Sequence, residues 1–250
     1  MTSALPHRPP KPPAAVLFDL DGTLVDSLED LALGTDRMLS ELSLPTAGVE
    51  RVRTWVGRGV EALLRQALAW AVDDEATLDA ALLARAARAF DHHYRAVNGR
   101  STRPLPGAAP LLDALARAAV PLALVTNKSR RFTLPLLRSL GWEQRFASIV
   151  CGDDATHTKP DPAPIRQALI ELDVAAADAV MVGDSDYDVI AAQAADVFVI
   201  RVGQGYGPEV ASARADAELA TLFVVAEMLG LPAATAPAAA RASSRDTHPR

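Results

Sequence analysis

Ala15-Val16-Leu17-Phe18-Asp19-Leu20-Asp21-Gly22-Thr23 decides the fold. The apolar run Val16, Leu17, Phe18 stops abruptly at two carboxylates, as a strand buried on both faces does where it reaches solvent. Side chains at i and i+2 of an extended chain point the same way, so Asp19 and Asp21 can face one cavity. Gly22 lets the backbone turn at once, and Thr23 adds a short hydroxyl. Carboxylates this close repel one another. A divalent cation removes that penalty, one carboxylate ligating it while the other is free for proton transfer. A calcium loop of the EF-hand type is the competing reading. It needs glycine at position six and glutamate at twelve, where this chain has Leu24 and Asp30, and it fails.

Downstream the pattern changes period. Leu28, Leu31, Thr35, Met38, Leu39 and Leu42 recur at spacings of three and four, the signature of an amphipathic helix. Val60, Leu63, Leu64, Ala67, Leu68 and Ala71 repeat it, and a third helix is expected over residues 77–94. No strand pattern interrupts residues 28–97. From Pro106 onward, β-rich runs at 121–127, 146–152, 179–184 and 197–202 alternate with segments long enough for crossover helices. The economical architecture is α/β: a doubly wound, Rossmann-like parallel sheet with an α-helical cap domain inserted after its first strand. The expected division is a catalytic core at 14–27 and 99–232, a cap at 28–98, and disordered tails at 1–13 and 233–250.

The 250 residues carry 25 basic and 31 acidic side chains, a net charge of −6. An acidic chain of this kind is poorly suited to grip a nucleic-acid backbone. No stretch has the uninterrupted apolar length of a membrane span, and the single cysteine, Cys151, suits a reducing compartment. The expectation is a cytoplasmic protein with no nucleic-acid or membrane partner. Monomer and homodimer both stay open.

In doubly wound sheets, reactive groups gather at the carboxyl ends of the strands. Polar residues cluster there in this chain. After the second β-rich run of the core come Thr126, Asn127 and Lys128, and Lys159 precedes a proline further on. Lysine supplies only three of the 25 basic residues, and two of the three fall in this set. A compact ammonium suits a phosphate in a small cavity better than a guanidinium fork does. Gly183, Asp184, Ser185, Asp186 and Asp188 end another run, and their oxygen-only chemistry suits Mg²⁺. Together these groups are equipment for phosphoryl transfer to an aspartate.

Asp19-Leu20-Asp21-Gly22-Thr23, Thr126-Asn127, Lys159-Pro160 and Gly183-Asp184-Ser185 with Asp188 resemble the four ordered motifs of the haloacid dehalogenase superfamily. Residues 24–32, 53–59 and 124–128 resemble, more narrowly, those of phosphoglycolate phosphatases. The resemblance implies Asp19 as nucleophile and Asp21 as general acid and base. It implies Thr126, Asn127 and Lys159 on the substrate, Mg²⁺ held by Asp19, the backbone carbonyl of Asp21 and Asp184, and Asp188 in support behind them. The implied activity is hydrolysis of a small phosphorylated acid such as 2-phosphoglycolate. A sugar-phosphate phosphatase or phosphomutase on the same core is the alternative. Arg58 stands where relatives often carry asparagine, in a glycine-flanked loop before a helix. It is the candidate contact for the substrate carboxylate.

Blander readings apply elsewhere. His92 and His93 are neighbours on a helix and cannot converge on a metal. Cys151 reads as a packing residue and Asp186 as a surface charge. Lys128 either lines the cavity or begins the next helix. A phospho-receiver signalling domain would also pair acids, threonine and lysine, but it would lack the helical insert and the segment 183–188.

Overall fold

The computed structural model describes residues 9, 12–72, 78–154, 156–203, 206 and 213–231. The tails expected at 1–13 and 233–250 lie almost entirely outside the described residues. In chain order the elements are β1 (Ala15–Phe18), β2 (Val25–Asp26), α1 (Leu28–Glu41), α2 (Val49–Arg53), α3 (Val60–Ala71), α4 (Ala80–Val97), β3 (Arg103–Pro104) and α5 (Ala108–Arg117). There follow β4 (Leu122–Val125), α6 (Arg130–Ser139), β5 (Ser148–Val150), α7 (Ala163–Leu172) and β6 (Ala179–Gly183). The last are α8 (Asp186–Ala194), β7 (Phe198–Val202), β8 (Ala217–Leu219) and α9 (Val225–Met228).

Six strands form one parallel sheet in the order β5-β4-β1-β6-β7-β8. The chain builds outward from β1 to one edge and then returns to build the other. The switch of direction therefore falls beside β1 and β6, where such sheets open a crevice. Alternation along each strand divides the core. Val16, Phe18, Leu122, Leu124, Val180 and Val182 pack on one face against α5, α6 and α9. Ala15, Leu17, Ala123, Val125 and Met181 pack on the other, against Ile165 and Leu169 of α7 and Val189 and Ala192 of α8. Strands apolar on both faces require this two-sided cover, which is the doubly wound architecture read from the sequence.

Helices α1 to α4 follow one another between β2 and β3 with a hydrophobic cluster of their own, including Met38, Leu39, Leu64, Leu68 and Phe90. Phe132 of α6 also joins that cluster. The two ends of this helical excursion lie side by side, because β2 and β3 pair antiparallel, Val25 with Pro104 and Asp26 with Arg103. The buried Asp30 of α1 ties the return. Its carboxylate accepts from the backbone N–H groups of Gly99, Ser101 and Thr102 at 2.9–3.0 Å and from the Thr102 hydroxyl at 2.6 Å. The third helix starts at Ala80 rather than 77, capped by the Asp79 side chain on the N–H of Leu82.

One position departs from expectation. Asp186 is buried, not a surface charge, because Arg201 of β7 reaches it at 2.6 Å. Asp196 closes α8 with φ 59°, a conformation that glycine takes freely and aspartate tolerates. Among the described residues no helix is long and apolar enough to cross a membrane.

Candidate active site

Asp19, Thr126 and Asp184 sit where their strands stop, while Lys159 lies in the loop between β5 and α7 and Asp188 in the first turn of α8. The Asp19 N–H is still bonded to Val182 O at 3.0 Å, so the first carboxylate leaves the sheet between β1 and β6. Gly22 then takes φ 93°, and a Cβ there would stand 2.4 Å from Asp184 Oδ2. Only glycine lets the turn pass that close to the acid at the end of β6. Thr23 donates to Asp184 Oδ1 at 2.6 Å. Thr126 N–H bonds to Val150 O at 3.0 Å, which holds the end of β4 beside that of β5. At the start of α8, Ser185 and Asp188 form a reciprocal capping box.

Lys159 is the hub. Its buried ammonium donates to Asp19 Oδ1 at 2.8 Å, Asp188 Oδ1 at 2.6 Å and Val125 O at 2.6 Å. Asp188 Oδ2 accepts from Ser185, so both of its oxygens have partners. Asn127 holds the lysine's backbone: its amide donates to Lys159 O and accepts from Lys159 N–H, each at 2.9 Å. The same amide donates to Gly57 O at 2.9 Å, joining the sheet edge to the helical segment.

Burial pushes the Asp19 carboxyl up to about 6, against the pull of Lys159 and with a further push from Asp188. Burial, with Asp19 and Asp188, holds Asp184 well above the ordinary carboxylate range. Burial disfavours the Lys159 ammonium, yet Asp188 and Asp19 outweigh it and raise its pKa. One oxygen of each of Asp19, Asp184 and Asp188 lies within 4.8 Å of the others. Asp21 adds a fourth carboxylate, facing Lys128 and Ser27 instead of that cluster. Among the described residues, four carboxyl groups thus meet two lysines, more acids than cations in a buried place. That excess, and donors made only of oxygen, fit a divalent cation such as Mg²⁺.

The sequence-derived residues fall into two groups. Asp19, Asp21, Thr126 and Asn127 line one cavity of about 50 Å³, closed from the helical side by Gly57, Gly59 and Val60. Asp184, Asp188 and Lys159 stand behind its floor, bonded to each other or to Asp19 and Thr23. Arg58 does not line this cavity. Its guanidinium lies over the Tyr187 ring, 5.6 Å from the centroid, and the residue lines an adjoining cleft. Asn127 was expected on the substrate, but its amide is engaged with the protein.

Three further contributors complete the site, and only the first of them was weighed in the sequence. Lys128 enters the cavity and bonds to Asp21, while Tyr94 of α4 bonds to Lys128. Tyr206 donates its backbone N–H to Asp184 Oδ2 at 3.1 Å and its hydroxyl to Asp26. Lysine's scarcity was a usable signal for the first. Nothing local marks the two tyrosines, which sit far along the chain from the acids they serve.

The haloacid dehalogenase-like hydrolase family matches residues 16–202. A phosphoglycolate phosphatase of Yersinia pestis is 39% identical over 219 residues, covering 87% of this chain and 93% of its own. A crystal structure of a predicted phosphoglycolate phosphatase from Haemophilus somnus 129pt superposes with TM-score 0.81 at 30% identity, over 86% of this chain and 97% of that one. CbbY from Rhodobacter sphaeroides, in complex with phosphate, gives TM-score 0.75 at 28% identity, over 88% and 100%. The chain belongs to the haloacid dehalogenase-like hydrolase family. Within that family it is an enzyme of the phosphoglycolate phosphatase-like kind, a phosphoric monoester hydrolase.

Proposed function

We propose that this enzyme hydrolyses a small phosphorylated acid, with 2-phosphoglycolate as its preferred substrate, through an aspartyl-phosphate on Asp19. The observation that carries the reading is the buried Lys159 bridge between Asp19 and Asp188 beside Asp184. An Asp19 oxygen attacks phosphorus as the ester P–O bond breaks, and Asp21 gives its proton to the departing alkoxide. Asp21 then takes a proton from water, which attacks the phosphoryl group. The bond from phosphorus to Asp19 breaks, and inorganic phosphate leaves with Asp19 restored. Thr126 and Lys159 hold the phosphoryl oxygens, and Asp188 keeps Lys159 aimed. Asn127 acts by fixing the Lys159 loop.

Mg²⁺ would be held by Asp19, the Asp21 carbonyl and Asp184, and when bound it supplies charge neutralisation for carboxylates and phosphoryl oxygens. Helices α1 to α4 act as a cap over residues 28–98 and shield the first step from water. Arg58, at the lip, is the contact for the substrate carboxylate. The small cavity supports a leaving group of few atoms. The single, buried Cys151 supports a cytoplasmic setting. A sugar-phosphate reading draws on the adjoining cleft of about 720 Å³, which has Arg58, Arg65 and Arg131 in its walls. Phosphate release from 2-phosphoglycolate and from a panel of sugar phosphates, each with Mg²⁺ and with chelator, tests the choice. The acid should be turned over fastest, and only with metal. Faster turnover of a sugar phosphate would overturn the substrate assignment.

A further inference from the structure

Lys128 is the buried cation that phosphoryl chemistry at Asp19 leaves without a task. Its ammonium donates to both oxygens of Asp21 at 3.2 Å and to the Tyr94 hydroxyl at 2.7 Å. Its side chain and that of Tyr94 are almost wholly removed from solvent. Ser27 completes the setting. It stands at the N-terminus of α1, yet its hydroxyl caps no backbone N–H and donates instead to Asp21 Oδ1 at 2.5 Å. Asp21 is therefore gripped from two directions, by a hydroxyl at the start of the helical segment and by an ammonium steadied from its last helix. A carboxylate left to rotate about its side-chain bonds would visit many orientations. Proton transfer to a leaving oxygen needs one of them within hydrogen-bond reach.

The geometry points to Lys128, held by Tyr94, as the positioning residue that aims Asp21 at the leaving-group oxygen. The seating of α4 thereby enters the proton-transfer step. This rests on the role given to Asp21 above. Arg58 is the proposed carboxylate contact, so Lys128 is here assigned to the acid rather than to the substrate's far end.

Leaving groups separate these roles. An alkoxide needs a proton as it departs, whereas p-nitrophenolate is a far weaker base and leaves without one. kcat/KM, which reports the first chemical step, is measured for 2-phosphoglycolate, ethyl phosphate and p-nitrophenyl phosphate. The proteins are the wild type, Asp21→Asn, Lys128→Met, Tyr94→Phe and the double variant Asp21→Asn/Lys128→Met. Lys128→Met should lose roughly 100-fold on both alkyl esters and less than about 5-fold on the aryl ester, within the range of general acid catalysis. Tyr94→Phe, which keeps the ring and its packing, should show the same asymmetry at about 5-fold to 10-fold. The double variant should fall no further than Asp21→Asn. Equal losses on all three esters would overturn the proposal in favour of a general effect on fold or phosphoryl binding. A loss confined to 2-phosphoglycolate would overturn it in favour of carboxylate reading. If Asp21→Asn itself spares the alkyl esters, the acid–base reading of Asp21 fails. If Asp21→Asn shows the asymmetry and Lys128→Met does not, only the positioning role fails.

Discussion

Replacing Asp19 by asparagine should stabilise the metal-free protein while abolishing its turnover. The carboxyl is raised from 3.8 to about 6, first by burial and then by Asp188, with Lys159 opposing. A carboxyl whose folded pKa exceeds its unfolded one holds its proton longer in the folded state. Stability is therefore fully present below about 4 and is lost as pH climbs through the window from 3.8 to about 6. At about 1.4 kcal/mol for each tenfold change in acidity, the loss totals about 3 kcal/mol at neutral pH. Asparagine has nothing to ionise and can still accept from Lys159, so the variant escapes most of that loss. Urea unfolding in EDTA, followed by fluorescence of the three tryptophans, gives the comparison. The variant should exceed the wild type by roughly 1–3 kcal/mol at pH 7.5, and by no more than about 1 kcal/mol at pH 4.5. An advantage that is absent at pH 7.5, or the same at both values, would refute the claim that buried like charges strain this site.

Two further outcomes follow from particular contacts. Asp30→Ala removes the acceptor of four hydrogen bonds at a buried position and should cost about 4 kcal/mol in urea unfolding, near the upper end for single substitutions. Gly22→Ala places a methyl group 2.4 Å from Asp184 Oδ2, at a backbone φ of 93°. It should lower kcat/KM by roughly 100-fold or more, with a stability loss of only about 1–2 kcal/mol in the same unfolding assay.

The parallel sheet was legible because its strands are apolar on both faces and end in carboxylates or small polar groups. Continuous apolar runs on one side and periods of three to four residues on the other separate sheet from helix without tertiary information. The shortest elements were not legible. β2 and β3 have two residues each, and their pairing joins positions nearly eighty apart. β8 carries only Ala217–Leu219 on a sheet edge, too short for a period to register. In the site, Asp19, Asp21, Thr126, Asp184 and Asp188 announced themselves by following apolar runs, and Lys159 by the scarcity of lysine and the proline after it. Asp186 misled because its burial depends on Arg201, a partner that nothing nearby in the chain indicates. At Arg58 the pattern marked the loop but not the direction of the side chain. The glycine loop around it does approach the cavity, but it is the backbone that lines the wall while the side chain turns to Tyr187. Tyr94 carries helical periodicity and reads as core, which it also is, packed against Phe90 and Phe132. A residue that serves packing and chemistry together shows only the packing in its pattern.

The paired ribbon of β2 and β3 means that the chain leaves the sheet and comes back to it through a single doorway. Everything beyond that doorway rests largely on foundations of its own. An excursion attached in this way can lengthen, shrink or be exchanged without shifting any strand register. Its outer face is thus free to drift between descendants, while Tyr94 and Gly57, bonded to Lys128 and Asn127, stay moored to the acids beneath.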